Sequence, residues 1–355
     1  MDRRQFLGRP VSAGLALGGA AALQQAPSAY GQRSDLPPKF TPSAYTVPKS
    51  PNSAGLTPDY FTYADNLVIE RNQPGKPHQG KVLAAVQAHS DDITLFCAGT
   101  VAKLIDEGYT GYLIRLSNDE KAGKTVGYGV VQNEIDNREA AKALGCKKAF
   151  SFYYRNHRMD DCAAIEIRQR LIFLFRLLQV NTVFLMDPSD HYDENPDHLV
   201  VGREVEAACW MAGTGGGREY PEQLKAGLKP ANVREKYYHA RAPQGHNLVN
   251  RIVDISSYID QKVRANVANK GKGPAGDNGA RLRQSLAKQG KKLPLLGNDD
   301  DTANFQYVKH FIMDDFRTLG AQFGLEYAEA FRYIGPEPEH RQIVNKYVEE
   351  HAVPL

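Results

Sequence analysis

The sequence lacks the features that mark several common classes of protein. Its four cysteines, Cys97, Cys146, Cys162 and Cys209, include no CxxC pair and no metal-type spacing, so they predict no thiolate metal site and require no disulfide. No run rich in lysine and arginine occurs, and the net charge is only +3 over 355 residues. We therefore predict that nucleic acid is not a partner.

A long hydrophobic run is also missing from the N-terminus, where the apolar stretch Val11–Leu23 is too short to cross a bilayer. It follows Asp2-Arg3-Arg4-Gln5-Phe6-Leu7, which resembles the twin-arginine export signal. Small residues at Ala29 and Gly31 predict cleavage after Gly31, and the remaining chain has 41 basic and 40 acidic residues. We expect residues 1–31 to direct an already folded protein to the periplasm or outside, with no stable membrane span.

Strand and helix patterns alternate through the middle of the chain. Residues 32–80, rich in proline, serine and threonine, predict an extended arm with a short strand near Asn66–Glu70. From residue 81 to 212 each strand pattern precedes a helical one: the strands are Val82–Val86, Tyr112–Leu116, Phe150–Tyr154 and Thr182–Met186, and the helices are Ile93–Glu107, Asn133–Leu144, Ala163–Leu178 and Pro196–Trp210. This alternation predicts a Rossmann-like three-layer α/β sandwich with a mainly parallel sheet.

Residues 213–355 have a different pattern and predict a C-terminal extension that completes the same domain. Its predicted strands are Lys236–Arg241 and Arg251–Ile255, and its predicted helices are Ser257–Asn269, Thr302–Leu319 and Tyr327–Tyr333. Lys270–Asp277 is a loop rich in glycine and lysine.

A polar cluster, His89-Ser90-Asp91-Asp92, follows the first predicted core strand. A dinucleotide-binding domain would have a glycine-rich turn here to approach a pyrophosphate. Two carboxylates would repel phosphate unless a cation intervened, which counts against a nucleotide-dependent oxidoreductase. A purely structural interpretation makes Ser90 a helix cap and the acids partners of the helix dipole, but it does not explain His89.

A second polar cluster, from His191 to His198, follows the fourth predicted strand. Asn195 and Pro196 are typical of a helix N-cap and of the first helical residue, which puts His198 in the first turn. A lone histidine there is usually only solvated. In an open parallel sheet, however, ligands bind outside the carboxyl ends of the strands, so two such clusters predict one shared site.

The two clusters resemble the motifs of the PIG-L/LmbE family of metal-dependent N-acetylglucosaminyl deacetylases. His89-Ser90-Asp91-Asp92 is similar to the family's His-Pro-Asp-Asp, and Asn195-Pro196-Asp197-His198 is similar in part to its His-x-Asp-His. Ser117-Asn118-Asp119-Glu120 resembles the family's Thr/Ser-x-Gly-Glu-like turn. The resemblance spans roughly residues 80–212.

This resemblance implies a zinc-dependent hydrolase. His89, Asp92 and His198 would bind zinc and leave a fourth position for water, as catalytic zinc sites do. Asp91 would be the general base that takes the proton of this water, and Asp197 would orient its neighbours. The same two histidines and one aspartate also suit Fe(II) or Mn.

Asn195 departs from the family, which has at this position a histidine thought to stabilise the oxyanion or act as general acid. Asparagine can donate a hydrogen bond but cannot carry a proton to the leaving amine. We expect His191 or Tyr192 to supply this function; the alternative is that His191 is an ordinary loop residue.

Asn156, Arg158 and Glu120 are the candidate substrate-binding residues, since the segments that carry them follow two other predicted strands. We predict removal of an N-acetyl group from a small amino sugar or its glycoconjugate. Asn195 favours one alternative, a metal-containing amino-sugar-binding protein with little turnover. A second alternative is an amidase for a non-sugar amide. The sequence leaves the oligomeric state open.

Overall fold

The computed structural model describes residues 62–123, 125–189, 193–213, 219–239, 248–336 and 340–354. All of them belong to one compact unit, residues 47–355. The predicted export signal and most of the predicted arm lie outside the described residues. The proposed domain boundaries therefore remain predictions.

Eight strands in the described part of the chain form one sheet. They are β1 Thr62–Glu70, β2 Val82–Gln87, β3 Thr110–Ser117, β4 Lys148–Tyr154, β5 Thr182–Met186, β6 Glu235–His239, β7 Leu248–Asp254 and β8 Ala328–Ile334. Their order is β1-β7-β8-β6-β5-β2-β3-β4, and every pairing is parallel except the two that β8 makes. The predicted α/β fold with a mainly parallel sheet is confirmed.

Helices cover both faces of this sheet. In chain order they are α1 Asp92–Phe96, α2 Ala98–Asp106, α3 Val126–Ala143, α4 Ala164–Leu178, α5 Pro196–Ala212, α6 Pro221–Lys225, α7 Ile259–Ala268, α8 Asn278–Lys288, α9 Asp300–Tyr307, α10 Asp314–Gln322 and α11 His340–His351. None of the helices in the described ranges is both long and apolar enough to cross a membrane.

Strand β2 shows why the core strands are apolar without alternation. Leu83 and Ala85 pack on one face with residues of α2, α3 and α7, whereas Ala84 and Val86 pack on the other with residues of α4 and α5. A strand buried on both faces has no solvent side on which polar residues would be stabilised. The continuous apolar run at this position therefore corresponds to a central strand.

The predicted helix at Tyr327–Tyr333 is wrong, because this segment is the strand β8. Alanine and glutamate favour a helix locally, but β8 pairs antiparallel with both β6 and β7 and fills the gap between them. Its fully buried Glu329 accepts hydrogen bonds from the amides of Gly99 and Thr100 at the start of α2. The Lys262 ammonium, 2.6 Å from Glu329, neutralises its charge.

Three predicted helices differ from the structure in extent. The helix expected at Ile93–Glu107 is divided into α1 and α2 at Cys97, and α3 begins seven residues before Asn133 because the Thr125 side chain caps it. The segment expected as Thr302–Leu319 contains α9, a π-helical turn at Val308–Ile312 and the start of α10. The helix α8 was not predicted.

The chain order of the strands creates a crevice at the carboxyl ends of the central strands β2 and β5. From β2 the chain adds β3 and β4 on one side, and it then crosses back to place β5 on the other side of β2. The loops after β2 and β5 therefore diverge at their carboxyl ends. A switch point of this kind is where open α/β sheets bind ligands.

Candidate metal centre and active site

Three side chains from the two sides of this crevice converge. His89 follows β2, Asp92 begins α1, and His198 lies in the first turn of α5, and all three are buried. His89 Nδ1 is 3.1 Å from His198 Nε2, which is 3.4 Å from Asp92 Oδ1. The distance from His89 Nδ1 to Asp92 Oδ2 is 3.8 Å. The three groups thus offer ligand atoms that all lie within 4.8 Å of one another.

This donor set fits a small divalent cation. Two ligands about 2.1 Å from a tetrahedral zinc ion are about 3.4 Å apart, close to the spacings found here. Burial by itself would raise the pKa of Asp92, but the charge and hydrogen bond of His198, and then the charge of His89, lower it well below its usual range. Burial would lower the pKa of His198, but Asp92 and Asp193 raise it to about 10. The protein therefore stabilises positive charge at the point where a metal would replace these protons.

Each of the two histidines is held from behind by a carboxylate. Asp197 Oδ2 is 3.2 Å from His89 Nε2, and Asp193 Oδ2 is 2.6 Å from His198 Nδ1. Asp197 also accepts hydrogen bonds from the amides of His157 and Met159. Carboxylates in this position fix the tautomer and direction of a metal-binding imidazole. They leave His89 Nδ1 and His198 Nε2 facing the shared point.

Asp91 lies beside the three candidate ligands without belonging to them. Its carboxylate accepts no hydrogen bond from the described residues, and the Lys272 ammonium is 3.9 Å from Asp91 Oδ1. Burial, and then the charge of Asp92, raise the pKa of Asp91. A mostly buried carboxylate with increased proton affinity and a free oxygen can act as a general base.

Asn195 is the N-cap of α5, as predicted. Its Oδ1 accepts a hydrogen bond from the Asp197 amide at 3.1 Å, and Pro196 is the first helical residue. Its Nδ2 is 3.3 Å from His198 Nε2, so the amide group reaches the centre of the site. His191 and Tyr192 lie outside the described residues, and their expected role remains a prediction.

The three candidate substrate residues occupy different positions. Asn156 is buried, and its Nδ2 has no partner among the described residues. Arg158 is exposed and lines an open cavity of about 470 Å³ at the end of β4. Glu120 is engaged by Arg155 at 2.9 Å. Of the three, only Asn156 presents a buried polar atom without a partner among the described residues.

Asp119, rather than Glu120, connects the loop after β3 to the site. It is fully buried and accepts hydrogen bonds from the Ser90 amide, the Ser117 hydroxyl and the Lys272 ammonium. Its φ of 51° lies in the left-handed region, where the resembling family motif has glycine. The aspartate in place of glycine in this turn was the available signal for Asp119. The sequence alone did not indicate that its side chain would point towards the site.

His239 is a further residue that the sequence analysis missed. It ends β6, is buried, and stacks on the Phe96 ring with centroids 5.5 Å apart. Neither ring nitrogen has a hydrogen-bond partner in the described ranges, and burial lowers its pKa to about 4. Asp92 and His198 are the charged groups that affect it most. Its position at a strand end among aromatic residues was the only signal for it.

Comparison with known proteins bears directly on this arrangement. Residues 84–209 match the sequence model of the PIG-L family, described as GlcNAc-PI de-N-acetylase. The resemblance to the PIG-L family is confirmed. The matched residues contain all three candidate metal ligands, Asp91 and Asn195, whereas His239 and Lys272 lie beyond the match.

Relatives of this PIG-L-like chain include deacetylases. An uncharacterized deacetylase of Escherichia coli K12, YaiS, is 25% identical over 137 residues, which are 36% of this chain and 68% of YaiS. The N,N′-diacetylchitobiose deacetylase from Pyrococcus horikoshii superposes with a TM-score of 0.55 at 20% identity, covering 78% of this chain and 87% of the other. The conserved protein TT1542 from Thermus thermophilus gives 0.51 at 24% identity, with coverages of 72% and 94%.

The same fold also occurs with a different reaction. GalB, the 4-carboxy-2-hydroxymuconate hydratase of Pseudomonas putida, superposes with a TM-score of 0.51 at 18% identity, covering 73% of this chain and 98% of GalB. At these identities the structural likeness establishes the fold alone. The reaction must therefore be argued from the residues at the site.

Proposed function

We propose that this chain is a metal-dependent hydrolase that removes the N-acetyl group from an amino sugar or its conjugate. The observation that carries the proposal is the convergence of His89, Asp92 and His198, with Asp91 beside them and free to accept a proton. The donor set suits zinc, and it also suits Fe(II) or Mn. When bound, such a cation would polarise the acetamide carbonyl and make water more acidic.

Asp91 has the chemistry required of the base. As the water oxygen bonds to the acetamide carbon, Asp91 takes the proton that the water loses. The C–N bond then breaks, giving acetate and a free amine, and the amine must gain a proton. The Asn195 amide, 3.3 Å from His198 Nε2, can donate a hydrogen bond to the developing oxyanion but has no proton to transfer. We propose that His191 or Tyr192 supplies that proton.

Two observations support an amino-sugar substrate: the names of the relatives, and the unpartnered amide group of Asn156. The structural neighbour from Pyrococcus horikoshii acts on a chitobiose derivative, and the matched family is described as a GlcNAc-PI de-N-acetylase. The buried, unpartnered Nδ2 of Asn156 is suited to donate a hydrogen bond to a sugar hydroxyl. Arg158, which is exposed and lines the cavity at the end of β4, would contact a more distant part of a conjugate.

The test is acetate release from N-acetylglucosamine, N,N′-diacetylchitobiose and a set of non-sugar acetamides by zinc-loaded protein. We expect release from the sugars. Asp91→Asn should lower kcat about 10²- to 10⁴-fold, the usual contribution of a general base, while the bound metal stays at one equivalent. The control is Asp160→Asn, an exposed acid in the turn after β4, which should behave like the wild type.

Two outcomes would favour the alternatives. Sugar binding by metal-loaded protein without acetate release would indicate a binding protein, as the asparagine at position 195 suggests. Release only from non-sugar acetamides would indicate an amidase of different specificity. Full activity of Asp91→Asn would remove this residue from the mechanism.

We also propose export by the twin-arginine route, on the basis of Arg3, Arg4 and the apolar stretch that follows. Replacing both arginines with lysine should retain the full-length protein in the cytoplasm. Cell fractionation with an antibody to the mature chain measures this directly.

A further inference from the structure

A loop of the C-terminal extension reaches into the site. It joins α7 to α8, and hydrogen bonds connect it to the catalytic core. Asn269 Nδ2 donates to Thr94 Oγ1 in α1 at 2.7 Å, and the Gly271 amide donates to Asp136 Oδ2 in α3 at 2.7 Å. The loop is therefore held in a defined position by elements of the family-matched core.

Glycines allow the loop backbone to pass close to Asp91. Gly273 has a φ of +84°, and a Cβ at this position would lie 3.0 Å from Asp91 Oδ2 and 3.1 Å from Asp91 Cβ. A Cβ on Gly271 would lie 2.7 Å from Asn133 Oδ1. A larger residue at either position would require the loop or the neighbouring side chain to shift, and at Gly273 it would also strain the backbone. The Gly-Lys-Gly sequence at positions 271–273 thus matches a close approach that only glycine permits.

Between these glycines, Lys272 places its ammonium among acidic side chains. Lys272 Nζ is 2.8 Å from Asp119 Oδ1 and 3.9 Å from Asp91 Oδ1, and its side chain is only 19% exposed. Asp119 is itself fixed by the Ser90 amide and by Arg115, whose Nη1 lies 3.5 Å from Asp119 Oδ2. Asp119 therefore serves as a rigid support for the ammonium.

We propose that Lys272 is a positioning residue, which acts by holding the carboxylate of Asp91 in the orientation used for catalysis. This inference rests on the proposed role of Asp91 as the base. The direct hydrogen bond goes to Asp119, while 3.9 Å is too long for a hydrogen bond to Asp91. Lys272 thus attracts Asp91 without occupying the oxygen that must accept a proton. Gly273 lies close to the same carboxylate, since a Cβ built on it would be 3.0 Å from Asp91 Oδ2.

Electrostatics explain why a cation is needed here. Asp91 adjoins Asp92 and lies near Asp119, and like charges in a mostly buried site repel one another. Among the described residues, Lys272 is the one lysine or arginine within 4.0 Å of Asp91. Without its ammonium, Asp91 would turn away from Asp92 and Asp119, and the productive geometry would be lost.

The experiment compares Lys272→Met with Lys272→Arg and with a matched control. Lys270→Met removes the same charge from the same loop at an exposed position two residues away. For acetate release from N,N′-diacetylchitobiose, we expect Lys272→Met to lower kcat about 100-fold with KM nearly unchanged, because misplacing a catalytic group by about 1 Å has this effect. Lys272→Arg should recover most of the rate. Lys270→Met should match the wild type in rate and Tm, and all three variants should retain the zinc content of the wild type. The Tm of Lys272→Met should fall, because the buried carboxylate of Asp119 loses its ammonium partner.

Three results would overturn the proposal. One is a wild-type kcat for Lys272→Met. Another is an equal loss in Lys270→Met, which would indicate a general charge effect. The third is a loss of rate in Lys272→Met that is accompanied by loss of zinc, or that Lys272→Arg does not recover, which would indicate a different role.

Failure of the proposed deacetylase function is distinguishable from failure of this inference. If the wild type releases acetate from no amide, crystal structures of Lys272→Met and Lys270→Met decide the positioning role independently. We expect the Asp91 side chain to change rotamer in Lys272→Met and to remain in place in Lys270→Met. An unchanged Asp91 in Lys272→Met would overturn the positioning role.

Discussion

Asp193 and Asp197 lie behind His198 and His89, on the sides that face away from the shared point. This pairing limits the rotation of both imidazoles. Asp197 was expected from the family motif to orient its neighbours, and it contacts His89. Asp193 was not expected, although it stands only five residues before His198. At the residue scale, the candidate centre therefore comprises three donors and two supporting carboxylates.

Replacing Asp193 tests whether these supports matter. Asp193→Asn retains shape but removes the charge 2.6 Å from His198 Nδ1, so zinc affinity should fall about 10- to 100-fold. Competition with a fluorescent zinc chelator measures the change. Glu194→Gln, at the exposed neighbouring position, should leave zinc affinity unchanged. Equal affinities for wild type and Asp193→Asn would show that His198 is oriented by other contacts.

At the scale of secondary structure, helix α10 shows how burial changes the pKa of an acidic residue in the first turn of a helix. Helix α10 begins at Asp314 and Asp315, where acids favour the helix dipole. Burial of Asp315, and then the charge of Asp314, raise the pKa of Asp315 to about 6. The π-helical turn at Val308–Ile312 precedes this start. The ordinary preference for acids in a first turn is thus opposed at Asp315 by desolvation.

This opposition predicts a pH-dependent stability. The unfolded chain ionises Asp315 near pH 4, whereas the folded chain ionises it near pH 6, so its ionisation costs stability as pH rises through this window. Asp315→Asn should therefore stabilise the protein at pH 8 relative to pH 4, by about 1 kcal/mol after allowance for partial exposure. Denaturant unfolding at both pH values measures the difference. The exposed Asp301→Asn is the control, and an equal effect of Asp315→Asn at both pH values would contradict the prediction.

At the scale of the whole molecule, the C-terminal extension is part of the sheet that carries the site. Strand β6 pairs with β5, and β8 joins β6 to β7. Val263 of α7 packs in the same hydrophobic cluster as Leu83 of β2. The same cluster contains Ala85 and Ile93, so the family-matched residues 84–209 supply only part of the hydrophobic core on this face of the sheet.

A truncation test follows from this continuity. A chain that ends at residue 212 would expose one edge of β5 and one face of the central sheet, so we expect it to aggregate and to lose cooperative thermal unfolding. A chain that ends at residue 336 lacks only α11 and the residues beside it; the described side chains of α11 are exposed, and we expect an unchanged Tm. Circular dichroism and differential scanning calorimetry compare the two. A stable, cooperative 212-residue chain would contradict the prediction.

The sequence by itself determined the features that depend on local pattern and on position at strand ends. The apolar runs of β2 and β5, the cap at Asn195 and Pro196, and the placement of His89 and His198 after those strands all follow from such rules. The meeting of His89 and His198, 109 residues apart, could be predicted because parallel neighbouring strands bring their carboxyl ends together.

Only the tertiary structure showed which groups reach the site from segments that do not follow a strand of the parallel sheet. Lys272 contacts Asp119 across 153 residues through a loop with no strand to place it. Strand β8 forms against its local helical preference because two neighbouring strands supply its hydrogen bonds. The local sequence pattern reflects interactions between residues that are close in the chain. These contacts depend instead on packing between residues that are far apart in the chain, which the local pattern does not encode.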